Sequence, residues 1–97
     1  MTREEAFQKM IEAGGRAQRE KYAENEHKGI ILDNSIDILN ERAKGEAWEL
    51  QEELDAEFRN YEKILKEIGD VLNFYSAMAV KCEEELEAQK GLAFKFR

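Results

Sequence analysis

The chain has 97 residues, 38% of them charged, and a net charge of −7, with one Cys, one His and no Pro. That length supports one small domain, residues 1–97, and the missing Pro with many strong helix formers points to an all-α chain. The charge disfavours a nucleic-acid backbone as partner, because such binding needs a basic face. A lone Cys82 excludes a disulfide framework within the chain and fits a reducing compartment. With a single histidine, His27, whose place in a charged run predicts plain exposure, no Ser/His/Asp or Cys/His arrangement is expected.

Thr2 and Glu5 read as a capping box that opens a first helix, with Ala6, Phe7, Met10 and Ile11 as its apolar face. Gly14-Gly15 predicts an interruption or kink. Residues 16–28 are mostly charged and predict a solvated helix with a thin stripe of Ala17, Tyr22 and Ala23, ended by Gly29. Ile30-Ile31-Leu32 is an apolar lead-in. Asp33, Asn34 and Ser35 are each good N-caps for a second helix with a stripe at Ile36, Leu39, Ala43, Leu50, Leu54 and Phe58. A turn is expected at about 56–62, with Asn60 as a stop. A third helix then runs to about Glu84, and a short fourth piece reaches about Gln89 before Gly91. Leu92–Arg97 reads as a tail with two aromatic and two basic residues. The start of the chain carries no apolar signal core and no run approaches membrane-spanning length, so a cytoplasmic protein without membrane contact is expected.

The informative stretches are Gly45-Glu46-Ala47-Trp48-Glu49-Leu50 and Glu67-Ile68-Gly69-Asp70-Val71-Leu72. Each holds two carboxylates three residues apart, one turn apart on one helix face. Residue 58 is the midpoint of both Glu49/Glu67 and Glu46/Asp70. Antiparallel helices turning there would set Glu49 opposite Glu67 and Glu46 opposite Asp70. Four converging carboxylates repel one another, and a divalent cation that takes oxygen ligands, Mg²⁺ or Mn²⁺, resolves the repulsion.

The surroundings sharpen this. Between Ile68 and Cys82 the only charged residues are Asp70 and Lys81, so the third helix is apolar nearly all round and reads as buried. An aspartate there is costly unless paired or metal-bound. Glu46 falls in the second helix's apolar stripe, three after Ala43 and four before Leu50. Glu52 and Glu53 leave an ambiguity. Glu49 with Glu52 also makes an E-x-x-E pair, and Glu53, four after Glu49, can be a fifth ligand or stand behind the ligands.

E-x-x-E, a spacer and E-x-x-D, with the flanking Gly45 and Leu50 and the run Asp70-Val71-Leu72, resemble the all-α nucleoside triphosphate pyrophosphohydrolases. These are the MazG-like enzymes, related to dCTP pyrophosphatases and dimeric dUTPases. The resemblance covers about residues 30–86, with the motif-bearing core at 33–86. Trp48 stands where that family often has a small residue. The resemblance implies Mg²⁺ held by Glu46, Glu49, Glu67 and Asp70. It also implies hydrolysis of a nucleoside triphosphate to monophosphate and pyrophosphate, with a role in nucleotide-pool control. Glu49 or Glu53 is then the candidate to orient or deprotonate the attacking water. Lys81 follows Asp70 by eleven residues on the same face and can reach a phosphate or pair with Glu84 or Glu85. Lys95 and Arg97 are further phosphate candidates, and Asn73 and Phe74 are candidates for the base or sugar. Phe74 has a core role as its alternative, and Trp48 is expected at a subunit interface.

A chain this short has trouble covering both sides of the third helix. The expected architecture is therefore an antiparallel bundle of about four helices per chain, completed as a homodimer or a dimer of dimers. The rival reading is a non-enzymatic, oligomeric helical interaction or adaptor protein whose acids are surface charges.

Overall fold

The computed structural model of the chain describes residues 1–25 and 29–95, with side chains as far as Gly91; His27 lies outside them. The described residues form three α-helices, α1 (Arg3–Glu24), α2 (Ile36–Leu54) and α3 (Tyr61–Lys95), with a 3-10 turn at Ile31–Asp33. No described segment is a strand. No helix among the described residues is long and apolar enough to cross a membrane.

Local signals set most of the helix ends. The Glu5 N–H donates to Thr2 Oγ1 at 3.1 Å, which satisfies one of the free donors at the start of α1. Gly14-Gly15 does not break α1, contrary to expectation. A Cβ at Gly14 would only touch Leu72 at 3.5 Å, so the position is ordinary helix packed on α3. Asn25 closes α1, its Nδ2 donating to the Lys21 carbonyl at 3.0 Å. Gly29 has φ +86°, a left-handed conformation that glycine adopts without steric cost.

Of the three candidate caps, Ser35 is the one used: its Oγ accepts from the Ile38 N–H at 3.3 Å. Arg59 Nε donates to the Leu54 carbonyl at 3.1 Å and closes the end of α2. Asn60, expected as a stop, caps the next helix instead, its Oδ1 accepting from the Lys63 N–H at 3.2 Å.

The expected break between a third and a fourth helix is absent. α3 is one helix of 35 residues, about 53 Å long at the usual rise. Its second half contains no Pro, and its pairs Lys81–Glu84 at 3.8 Å and Lys90–Glu87 at 3.6 Å are one turn apart, so nothing local stops it. The expected tail also changes, since helix continues through Lys95.

α3 is the shared element: α1 and α2 both pack against it, and the 3-10 turn leans on it as well. Leu39 and Ala43 of α2 are fully buried, and Ile64 and Ala77 of α3 and Ala17 of α1 complete the core. Phe58, placed in the α2 stripe by its spacing, is 87% exposed. α2 has ended at Leu54, so the helical period no longer carries Phe58 to the core.

Gly69 sets the α1–α3 contact. A Cβ there would run into the carbonyl of Ala17, a backbone atom that no side-chain rotation can move aside. The helices pack tightly at this pair, and Lys21 of α1, one turn past Ala17, lies beside Asp70.

Candidate functional site

A cavity of about 540 Å³ opens where the three helices meet. α2 contributes Arg42, Glu46 and Glu49; α3 contributes Glu67, Asp70, Asn73 and Phe74; α1 contributes Lys21 and Tyr22, and its C-cap contributes Asn25. The hairpin between Leu54 and Tyr61 brings α2 back against α3, and Glu49 comes close to Glu67 as expected, while Glu46 joins the same pair. One carboxylate oxygen each from Glu46, Glu49 and Glu67 lies within 4.8 Å of the others. Among the described residues, Glu46 Oε2 and Glu67 Oε2 are buried with no hydrogen-bond partner.

Such oxygens are costly to leave unpaired. Burial is the main cause that pushes the Glu46 carboxyl up from 4.5 to about 7, followed by the hydrogen bond its protonated form can make to Glu49 and by the charges of Asp70, Glu49 and Glu67. Glu67 is also raised, first by burial and then by Glu49 and Asp70, against the opposing charge of Lys21. Glu53 adds its own repulsion at Glu67 but is not among the described residues that line the cavity.

Asp70 is 8% exposed and lines the same cavity, but protein groups already occupy it. Lys21 Nζ lies 3.3 Å from Asp70 Oδ2, and Asn25 Nδ2 donates to Asp70 Oδ1 at 3.3 Å. Burial alone would lower the pKa of Lys21. The hydrogen bond and charge of Asp70, with the charges of Glu24 and Glu67, outweigh it and raise the value, so the ammonium stays protonated.

The donor set fits a hard divalent cation. Three carboxylate oxygens converge, two are orphaned, and a fourth carboxylate lies alongside. All-oxygen donors suit Mg²⁺, Mn²⁺ or Ca²⁺ rather than a thiophilic metal. The residues expected to hold Mg²⁺ therefore share one cavity, three of them close enough to act on one ion.

Asn73, 8% exposed, and Phe74 also line the cavity. Lys81 does not: it pairs with Glu84 at 3.8 Å, farther along α3. The side chain of Lys95 and the whole of Arg97 lie outside the described residues. The cations that do line the cavity, Lys21 and Arg42, were not singled out by the sequence reading, and neither was Asn25. Lys21 and Asn25 sit in the run taken as a solvated face. The signal that finds them is the spacing Gly14, Ala17, Lys21, Asn25, in which small residues hold the stripe where larger ones are usual.

No family model matches the chain, and neither a curated protein nor a solved structure matches it.

Proposed function

We propose that the chain is a Mg²⁺-dependent nucleoside triphosphate pyrophosphohydrolase of the MazG-like kind, converting an NTP or dNTP to NMP and pyrophosphate in cytoplasmic nucleotide-pool control. One observation carries this reading. Three carboxylates from two facing helices converge within 4.8 Å, with two oxygens buried and unpartnered. A surface patch of solvated acids has no reason to orphan buried oxygens, whereas a cation site does.

Glu46, Glu49, Glu67 and Asp70 would hold the ion, with Mn²⁺ as a substitute. Bound there, Mg²⁺ supplies the positive charge that neutralises phosphate oxygens and makes a water easier to deprotonate. The remaining work falls to the chain's own residues. Glu49 is the most exposed of the three clustered acids and faces the cavity, so it can orient the attacking water and take its proton. Glu53, whose charge is felt at Glu67, is the alternative base or a group that orients it. The water oxygen bonds to the α-phosphorus, the bond from that phosphorus to the bridging oxygen breaks, and pyrophosphate leaves with that oxygen.

Arg42 is placed to meet phosphate oxygens at the cavity wall. Phe74 and Asn73 offer an apolar face and an amide to the nucleoside. Lys81, Lys95 and Arg97 enter as contacts to a ligand shared between subunits.

The working unit in this reading is a homodimer or a dimer of dimers. The chain exposes 7999 Å², against about 5,700 Å² for a compact monomer of its mass. Its radius of gyration, 16.7 Å, also exceeds the roughly 12.5 Å of a compact chain of this length. Leu65 and Tyr75 of α3 and Trp48 of α2 are among the uncovered apolar residues that a second copy would bury. The same exposed surface favours the second reading, an oligomeric helical interaction protein without catalysis.

The deciding experiment is pyrophosphate release from a panel of NTPs and dNTPs with Mg²⁺, run beside Glu49→Ala and with chelator. Release that needs both metal and Glu49 is expected. No release from any nucleotide, by protein shown to be folded, overturns the enzyme in favour of the interaction protein.

A further inference from the structure

We propose that Lys21 is a built-in counter-cation of the acid cluster, and that a divalent ion binds by displacing its ammonium from Asp70 onto Glu24. This rests on the cation-binding reading above and concerns how that site is kept and loaded.

Lys21 Nζ stands between two acceptors, Asp70 Oδ2 at 3.3 Å and Glu24 Oε2 at 3.6 Å. The two acceptors differ in setting. The Asp70 side chain is 12% exposed and faces the cavity, whereas Glu24 is about half exposed and also meets Lys66 at 3.5 Å. Lys21 comes from α1, while the clustered acids come from α2 and α3. Among the described residues, Asp70 is the one of the four acids that has an ion pair. The three others repel one another, and two of their oxygens have no partner.

A divalent ion among Glu46, Glu49 and Glu67 gains a further carboxylate if Asp70 is released. It also repels the ammonium beside it. Lys21 need not be left as a buried unpaired charge, because Glu24 is already within reach. A small swing of a flexible four-carbon stem makes the exchange. Asn25, held by both the Lys21 carbonyl and Asp70, keeps the aspartate aimed while its other oxygen changes partner.

Counter-cation and structural strut predict opposite results. If Lys21 competes with the ion, Lys21→Met removes the competitor and Mg²⁺ binds more tightly, by about fivefold or more. Glu24→Gln removes the alternative acceptor, commits Lys21 to Asp70 and weakens Mg²⁺ binding by about threefold or more. Lys21→Arg keeps the charge and stays within about twofold of the wild type. If Lys21 merely holds Asp70 in place, Lys21→Met weakens binding and Glu24→Gln does nothing.

The measurement is Mg²⁺ affinity by titration calorimetry on the full chain, with no nucleotide present. Folding of each variant is checked by circular dichroism. Tighter binding by Lys21→Met with weaker binding by Glu24→Gln supports the proposal. Unchanged or weaker binding by folded Lys21→Met overturns it. If Lys21→Met does not fold, Glu24→Gln decides alone, and an unchanged affinity there overturns the proposal. No Mg²⁺ binding by the wild type overturns the cation-binding reading itself, and this inference with it.

Discussion

The Ala17 carbonyl of α1 lies so close over Gly69 of α3 that the position has no room for even a methyl group. This one contact fixes where α1 crosses α3 and brings Lys21 to Asp70. Gly69→Ala is therefore expected to push the helices apart. The obstacle is backbone, which relaxes only by moving a helix, so the cost is that of overpacking, about 3 kcal/mol. Chemical denaturation checks the stability. The same variant also loses the Lys21–Asp70 pair, whereas Gly45→Ala, where an added Cβ meets nothing within 4 Å, gains slightly from better helix propensity.

The clustered acids give the metal-free protein a pH dependence of definite sign. Glu46 in the folded chain holds its proton up to about pH 7, while in the unfolded chain it lets go near 4.5. Between those values the folded state binds more protons, so stability falls as pH rises and levels off above the folded value. Glu67 is shifted in the same direction and adds to the fall. Thermal melts with chelator, from pH 5 to 8, are expected to show a falling Tm for the wild type and a flatter profile for Glu46→Gln. A wild-type Tm that rises across that window more steeply than the variant's would contradict the arrangement.

Leu39 is the largest side chain with no exposure among the described residues, and Phe58 is the larger residue that spacing placed on the same stripe. Leu39→Ala is expected to cost about 3 kcal/mol in urea unfolding, from lost burial and the cavity left behind. Phe58→Ala, in the turn, is expected to lie within about 0.5 kcal/mol of the wild type. The reverse order would put Phe58, not Leu39, in the core.

That pair also shows where sequence reading stops. Period and charge placed Leu39, Ala43 and the approach of Glu49 to Glu67, because these are local patterns on two helices joined by one turn. The end of α2 depends on Arg59 reaching back to the Leu54 carbonyl, a side-chain bond that composition does not announce. Asp70 stood out as an acid in an apolar helix, but its partners did not. Lys21 and Asn25 lie 49 and 45 positions away, in a run whose charge suggested only solvent. The length of α3 was missed for the opposite reason. Gly91 is a weak stop when helix formers and one-turn ion pairs lie before it.

Trp48 is 68% exposed on α2, between Glu46 and Glu49 in sequence but on another face of the helix. In the oligomeric reading this indole packs against a second copy. Trp48→Glu is expected to shift light-scattering mass from a multimer toward the monomer, because it places a charge in an apolar contact. Wild-type protein that runs as a monomer at every concentration would remove the oligomer from the reading.

Arg42 precedes Glu46 by one helical turn and lines the acid cavity, the one guanidinium among its described lining residues. A guanidinium makes paired hydrogen bonds to phosphate oxygens, which a lysine cannot match in geometry. In the pyrophosphohydrolase reading, Arg42→Ala is expected to weaken binding of a nucleoside triphosphate about tenfold, since the contact is charge-assisted but partly open to solvent. Arg42→Lys recovers only part of the loss. Lys44, two residues on, is exposed and pairs with Glu41 at 3.4 Å, so Lys44→Ala tests for a mere change of net charge. Titration of a non-hydrolysable triphosphate into each variant with Mg²⁺ separates these outcomes. A tenfold loss confined to Arg42 places the phosphates on the α2 wall of the cavity. Equal, small losses in both variants mean that the triphosphate feels only the general field, and its contacts must then come from a second copy of the chain.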